Sequence, residues 1–222
     1  MSLLYGTDVA SRSIKKVLKM TLTNSPASNT AILVVDMQND TVHADGAYAS
    51  FGAAEHAASQ NVVANVGTLL QAARASSTPV FYSRIVVFPQ PGVSGDNAPI
   101  FRMLAPDTFK IDSWGAQIVD ELAPQPGDFV LDRTRMSVFN GTAIDNMLRN
   151  LGVRNLLVVG AWTNMAVEHT IRDAADHGYE VSIVEDATSS LSAEWQHAAL
   201  NFALTNIAVT TDTASASAAL TA

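Results

Sequence analysis

Cysteine is absent from all 222 positions of the chain. This excludes disulfides, thiolate metal sites and a thiol nucleophile, and it is compatible with a reducing compartment. Basic residues are also scarce, since 13 Lys and Arg stand against 21 Asp and Glu, for a formal net charge of −8. Because binding to a phosphate backbone needs a basic surface, we expect no nucleic-acid partner.

Long apolar runs are missing as well. No uninterrupted stretch approaches the roughly 20 residues that a membrane helix needs, and the start of the sequence lacks the apolar core of a signal peptide. We therefore expect a cytoplasmic protein with no membrane partner. The length and the 48% hydrophobic content are typical of one domain with a sizeable core.

The order of short apolar runs and amphipathic segments predicts the fold class. We expect a single-domain, three-layer α/β/α protein with a mostly parallel six-stranded sheet. The pattern predicts an N-terminal arm over residues 1–29, one domain over 30–213 and a fraying C-terminal tail over 214–222. The predicted strands cover 31–36, 80–83, 129–131, 155–160, 180–184 and 207–210, and the predicted helices cover 54–73, 116–122, 142–151, 164–177 and 193–205.

A long irregular stretch over residues 85–112 carries four prolines and two glycines. Loops of this length inside a compact domain are usually functional, so we expect it to determine substrate specificity.

Asp36 ends the first apolar run, in AILVVDM. The carboxyl ends of parallel strands are where α/β proteins build their sites, and a carboxylate there suits general acid or base catalysis. A turn-forming or capping Asp explains the same position about equally well from the residues alone.

Three ordered motifs resemble the isochorismatase-like, or cysteine hydrolase, superfamily over about 31–211: VVDMQND, FVLDRTRMSVFNGT and GAWTNMAVEHT. The resemblance implies an α/β hydrolase with an Asp after the first strand, a Lys after a middle strand and a Cys opening a helix. Asp36 falls on the Asp position. Arg133 falls on the Lys position and Ala166 on the Cys position, so both depart from the family pattern.

The departures change the expected chemistry. Arg133 keeps the positive charge and can hold Asp36 bidentately, but it cannot shuttle a proton. A fixed cation beside Asp36 is expected to lower the pKa of that carboxyl. The family's oxyanion hole, carried over, consists of the amides of Trp162 and Ala166 beside a cis peptide at Ala161–Trp162, with Thr163 or Asn164 capping the following helix.

Further residues are candidates for binding the substrate. Gln38 and Asn39 are expected to fix the turn beneath Asp36. The full set of predicted substrate-binding residues is Gln38, His43, Arg84, Phe139, Trp162 and Asn164. Nicotinamidase-like members of the superfamily bind a metal through His residues after the second strand, but FYSRIVVFPQPG has none. We therefore predict no metal and no cofactor.

The residues leave three functions open. The first is a hydrolase that acts on a small anionic or amide-containing metabolite through Asp36 and Arg133. The second is an amidohydrolase whose Cys or Ser nucleophile was replaced by Ala166. The third is a catalytically silent small-molecule-binding or scaffolding subunit. In each case we expect a homo-oligomer, dimer or tetramer, as the family commonly forms.

Overall fold

The computed structural model describes residues 29–104 and 107–222. Almost all of the predicted N-terminal arm lies outside these residues. In the described part of the chain, no helix is long and apolar enough to cross a membrane.

Strands and helices alternate along the described residues. The strands are β1 Thr30–Val35, β2 Val80–Ile85, β3 Phe129–Arg133, β4 Asn155–Ala161, β5 Glu180–Ser189 and β6 Val209–Thr211. The α-helices are α1 Asn39–Val42, α2 Ala53–Ser59, α3 Val62–Ala75, α4 Pro99–Arg102, α5 Ile144–Asn150, α6 Glu168–Asp176, α7 Ala193–Ala198 and α8 Thr213–Thr221. Single 3₁₀ turns cover Ala49–Phe51 and Asp120–Leu122, and π-type turns cover Thr163–Val167 and Ala199–Ala203.

The strands form one parallel sheet in the order β3-β2-β1-β4-β5-β6. This confirms the predicted α/β fold class. The strand order reverses direction between β1 and β4, which pair from Thr30 with Asn155 to Val35 with Gly160. Ligands of open α/β sheets bind at the carboxyl ends of strands at such a switch point. The topology therefore directs attention to the residues that follow β1 and β4.

Both faces of the sheet are covered, because alternate residues of a strand point to opposite sides. Ile32 and Val34 of β1 pack in the cluster that contains Leu69 of α3. Leu33 and Val35 pack in the opposite cluster with residues of α5 and α6. Buried parallel strands read as continuous apolar runs for this reason.

Several predicted helices are shorter than expected. The helix predicted over 54–73 is two helices, because Asn61 adopts a left-handed conformation with φ of 53° between α2 and α3. The helix predicted over 116–122 is reduced to the 3₁₀ turn Asp120–Leu122. The helices predicted over 164–177 and 193–205 each include a π-type turn.

The prediction that the C-terminal tail frays was wrong. Residues Thr213–Thr221 form α8, whose first turn is capped by Asp212 through a 2.7 Å hydrogen bond from Ser215 N. Ala216 and Leu220 lie four residues apart on one helix face and are buried in the same cluster as Leu69 of α3. The small residues of the tail allow close packing and favour helix.

Candidate active site

A buried ion pair joins Asp36, just after β1, to Arg133, the last residue of β3. Arg133 Nη1 donates to Asp36 Oδ1 at 2.8 Å and Nη2 donates to Oδ2 at 2.7 Å. The side chains are 0% and 7% exposed for Arg133 and Asp36. Arg133 Nε and Nη2 also donate to the carbonyl of Met136. The predicted contact between the two side chains is thus confirmed, and the fork geometry is the one that suits a carboxylate.

The pKa of Asp36 departs from the expectation. Burial raises the pKa of this carboxyl above its usual value, and the charge and hydrogen bonds of Arg133 oppose that rise. The expected net lowering was wrong because it counted the cation and not the loss of water. Arg133 remains protonated, so protonation of Asp36 would leave a buried guanidinium without its counterion. The pair is therefore an ionised carboxylate held by a guanidinium.

The backbone brings β1 and β4 close together beneath this pair. Asp36 has a φ of 49°, a left-handed conformation that Asp tolerates better than most residues. Gly160 has a φ of 115°, and a β-carbon there would collide with the carbonyl oxygen of Val35. A glycine is required at this position so that the strand ends can approach.

The segment after β4 contains the expected cis peptide, between Ala161 and Trp162. Residues Thr163–Val167 then form a π-type turn with non-helical dihedrals at Met165, directly before Ala166. The expected capping by Thr163 or Asn164 was wrong, because Trp162 occupies the cap position and no side chain caps the turn. Asn164 Oδ1 instead accepts a hydrogen bond from Ser190 Oγ.

A pocket opens over these strand ends and encloses about 410 Å³ between its lining atoms, part of it open to solvent. Asp36, Trp162 and Ala166 all line it. The rest of its wall is almost entirely apolar and consists of Thr41, Ile85, Ile100, Phe101, Leu104, Phe109, Met136, Ala161 and Met165. Within the described part of the chain, Asp36 is the only charged residue in this wall. The arrangement suits a small ligand with an apolar body.

Two buried polar atoms belong to residues of the wall and have no hydrogen-bond partner. They are Thr41 Oγ1 and Trp162 Nε1. Buried polar groups in native proteins are nearly always paired, so unpartnered ones beside a pocket are candidates for contact with a ligand. The hydroxyl and the indole N–H can each donate to a carbonyl oxygen.

Two residues that the sequence reasoning missed hold the pocket together. Asp40 accepts hydrogen bonds from Ala47 N at 3.1 Å and from Phe109 N at 2.8 Å. Tyr48 stacks on Phe109 with ring centroids 5.5 Å apart, and its hydroxyl donates to the carbonyl of Met103 at 2.8 Å. Both residues tie the long loop to the segment after β1. Asp40 belongs to the motif around Asp36, but the sequence assigns it no role. Tyr48 lies outside any periodic apolar pattern that would mark it.

Of the predicted substrate-binding residues, Trp162 lines the pocket and the others do not. Gln38 is fully buried, and its amide donates to the carbonyls of Ile85 and Ala116 and accepts from Ile85 N. Its predicted role in the turn beneath Asp36 agrees with these contacts. Arg84 is engaged by Asp132 through two hydrogen bonds of 2.7 and 2.9 Å.

The remaining predicted residues have other neighbours. His43 packs edge-on against Trp114 with ring centroids 5.1 Å apart. Phe139 stacks on His177 at 5.0 Å, on the side of the sheet that α5 and α6 cover. Among residues 29–104 and 107–222, no group of three or more His, Asp or Glu side chains converges to form a metal site.

His56 supports the strand end beside the pocket. Its Nδ1 accepts a hydrogen bond from Ser190 N at 3.3 Å, and Ser190 in turn binds Asn164. Burial lowers the pKa of His56 from its usual 6.5. The folded protein therefore takes up a proton at His56 at lower pH than the unfolded chain does.

This difference predicts a pH dependence. The contribution of His56 to stability is fully present above the unfolded pKa of 6.5 and is lost as the pH falls below it. Urea unfolding at pH 7.5 and pH 5.5 should show that acidification lowers the free energy of unfolding less for His56→Gln than for the parent chain. The exposed His197→Gln variant serves as the control and should behave as the parent. An unchanged loss in His56→Gln would contradict this assignment.

Comparison with known proteins agrees with this architecture. The isochorismatase domain model matches residues 30–215. The ureidoacrylate amidohydrolase RutB of Rhizobium rhizogenes (strain K84) is 36% identical over 181 residues, which cover 76% of this chain and 73% of that protein. The protein of the same name from Enterobacter sp. (strain 638) is 34% identical over 192 residues, covering 78% of this chain and 80% of its own.

Solved structures share the fold. A cysteine hydrolase from Pseudomonas syringae pv. phaseolicola superposes with a TM-score of 0.78 at 28% identity, covering 88% of this chain and 94% of that chain. An N-carbamoylsarcosine amidase from Thermoplasma acidophilum superposes with a TM-score of 0.67 at 26% identity, covering 83% of this chain and 96% of its own.

Proposed function

We propose that this chain, which belongs to the isochorismatase family of hydrolases, cleaves a small amide or ureide without a covalent intermediate. The observation that carries the proposal is the buried Asp36–Arg133 pair, because its carboxylate lies in the wall of a pocket that Trp162 and Ala166 also line. An ionised carboxylate beside an apolar pocket is suited to act as a general base. Ureidoacrylate, named in the relatives, is the first substrate to test.

The proposed reaction uses water in place of a thiol. Asp36 takes a proton from a water molecule, and the water oxygen forms a bond to the carbonyl carbon. The main-chain N–H groups of Trp162 and Ala166 stabilise the resulting oxyanion. The carbon–nitrogen bond then breaks, and the proton held by Asp36 passes to the leaving nitrogen. Arg133 keeps Asp36 ionised and oriented throughout.

The absence of a side-chain nucleophile supports this route over acyl-enzyme chemistry. Ala166 presents only a methyl group in the pocket wall. Asp36 as the initial proton donor is less well supported, because the guanidinium of Arg133 favours the ionised carboxylate in the resting site. A silent binding subunit remains the competing function, since the same pocket could bind a ligand without turnover.

The first test of the proposal is hydrolysis of ureidoacrylate by the parent chain, followed by NMR. Asp36→Asn should lower turnover by about 10²- to 10⁴-fold, the usual contribution of a general base. Asp132→Asn is the matched control, because Asp132 also accepts two hydrogen bonds from an arginine but does not line the pocket. Circular dichroism should show both variants folded. Equal activity in Asp36→Asn and Asp132→Asn would remove Asp36 from the mechanism.

We also retain the proposal that the protein self-associates. Trp195 and Phe202, in and just after α7, are 46% and 77% exposed in the single chain, and such apolar surface suits an interface. Size-exclusion chromatography with light scattering at micromolar concentration should give a dimer or tetramer. A clean monomer would contradict the proposal.

A further inference from the structure

The arginines around the pocket differ in what they bind. Arg133 is committed to Asp36 and to the Met136 carbonyl. Arg84 is bound by Asp132, and Arg102 donates to the carbonyl of Asp96 at 2.8 Å. Arg133 and Arg84 have carboxylate partners, and the side chain of Arg102 is exposed, so water can complete its hydrogen bonds.

Arg135 is the exception. Its guanidinium lies over the ring of Phe101, with Cζ 5.1 Å from the ring centroid. Its Nη1 is buried and has no hydrogen-bond partner, and no ion pair or hydrogen bond of Arg135 occurs within residues 29–104 and 107–222. On its other side the group packs so closely against Gly95 that a β-carbon there would collide with it. A half-buried cation without an acceptor is uncommon, because each buried N–H that loses water needs a new partner.

The position of Arg135 connects it to the pocket. Phe101, on which it stacks, and Met136, the next residue in the chain, both line the pocket wall. Among the described residues, the wall contains no cation, and its carboxylate, Asp36, is already paired with Arg133. An acidic ligand in this pocket would therefore find no unpaired positive group in the wall and would need one at the rim.

We propose that Arg135 binds the carboxylate of the substrate at the rim of the pocket, beside Phe101, and thereby makes the site selective for small acids. The inference rests on the proposed function, because it concerns the substrate of the same pocket. Stacking on Phe101 holds the guanidinium beside the pocket wall, and its Nη1 has no acceptor among the described residues. A planar guanidinium matches the geometry of a carboxylate. The amide to be cleaved then lies deeper, towards Asp36 and Ala166.

Isothermal titration calorimetry with three probes tests the inference. They are 3-ureidopropionate, its neutral analogue 3-ureidopropionamide, and 3-phenylpropionate, an acid without a ureide group. Arg135→Gln should weaken binding of both acids by about 10- to 100-fold, the usual effect of losing a charged hydrogen-bonded pair. Binding of the neutral amide should change by less than about threefold.

Two further variants act as controls. Arg135→Lys keeps the charge but loses the fork, so it should recover only part of the affinity for the acids. Arg102→Gln removes the same charge next to Phe101 in sequence and should bind all three probes as the parent does. Melting temperatures should establish that each variant is folded.

The outcomes separate the two proposals. Equal weakening of the acid and the neutral amide in Arg135→Gln would overturn carboxylate recognition and leave Arg135 as a support for Phe101. Failure of both acids to bind the parent chain would also overturn it. Binding of 3-phenylpropionate through Arg135 without binding of either ureide would support the inference and contradict the proposed ureide substrate.

Discussion

Ala166→Cys is expected to convert the site to covalent catalysis. A thiol at this position would lie in the pocket wall beside Trp162, and we propose that the amides of residues 162 and 166 form the oxyanion hole there. Asp36 lines the same pocket and can accept the thiol proton. We expect turnover of ureidoacrylate to rise by about 10²-fold or more, with an acyl adduct visible by intact mass spectrometry.

Two control variants make this prediction specific. Ala58→Cys places a thiol on the exposed surface of α2 and should form no adduct. Ala166→Cys combined with Asp36→Asn should lose most of the gain, because the thiol then lacks its base. A folded Ala166→Cys protein that forms no adduct and gains no activity would show that the oxyanion geometry is not catalytic.

The second large effect concerns the buried ion pair. Arg133→Met should lower the free energy of unfolding by about 3–5 kcal/mol at neutral pH, because it leaves the Asp36 carboxylate buried without a counterion. The double variant Asp36→Asn with Arg133→Met should lose less, since a neutral amide needs no cation. Urea unfolding measures these differences. Asn is the suitable replacement because it tolerates the left-handed backbone of Asp36.

A second pair in the same sheet provides the matched control. Arg84 and Asp132 are also joined by two hydrogen bonds, here from Nε and Nη2, but their side chains are 25% and 28% exposed. Arg84→Met should therefore cost only about 0–1 kcal/mol. If Arg133→Met cost no more than Arg84→Met, the claim that Asp36 is held as an ion by Arg133 would be wrong.

The sheet and the Asp36–Arg133 contact were predictable from the sequence for separate reasons. Buried parallel strands leave short apolar runs, and those at 31–36 and 155–160 mark the two central strands directly. The contact followed from the resemblance of three motifs, because strand order alone does not show that an Arg at the end of β3 reaches across β2.

Other features had no comparable signal. The break at Asn61 carries no Gly or Pro, so the apolar pattern continued through it. Tyr48 and Phe109 stack on each other from two irregular segments. Such segments have no periodic apolar pattern, so the sequence could not predict this contact. The tail was misjudged although its signals were present: Asp212 is a good N-cap, and Ala216 and Leu220 have helical spacing.

The sequence also indicated some site residues correctly by type but not by their contacts. Arg84 and Gln38 have the right residue types for binding a substrate, but local partners occupy them. The sequence cannot show which polar groups are already satisfied, because that depends on loops far apart in the chain. Arg135 is the opposite case: it lies two residues after Arg133, and only the structure shows that its Nη1 has no acceptor among the described residues.

The central claim is that Asp36 and water suffice for hydrolysis in a pocket that has Ala166 where a nucleophile is expected. The most direct measurement is rapid-quench intact mass spectrometry of the parent chain during a single turnover of ureidoacrylate, with product followed in parallel. The account predicts product formation with no mass adduct at any time, and product formation at least about 10²-fold slower with Asp36→Asn. An adduct on the parent chain, or the absence of product from a folded, ligand-binding parent chain, would contradict it.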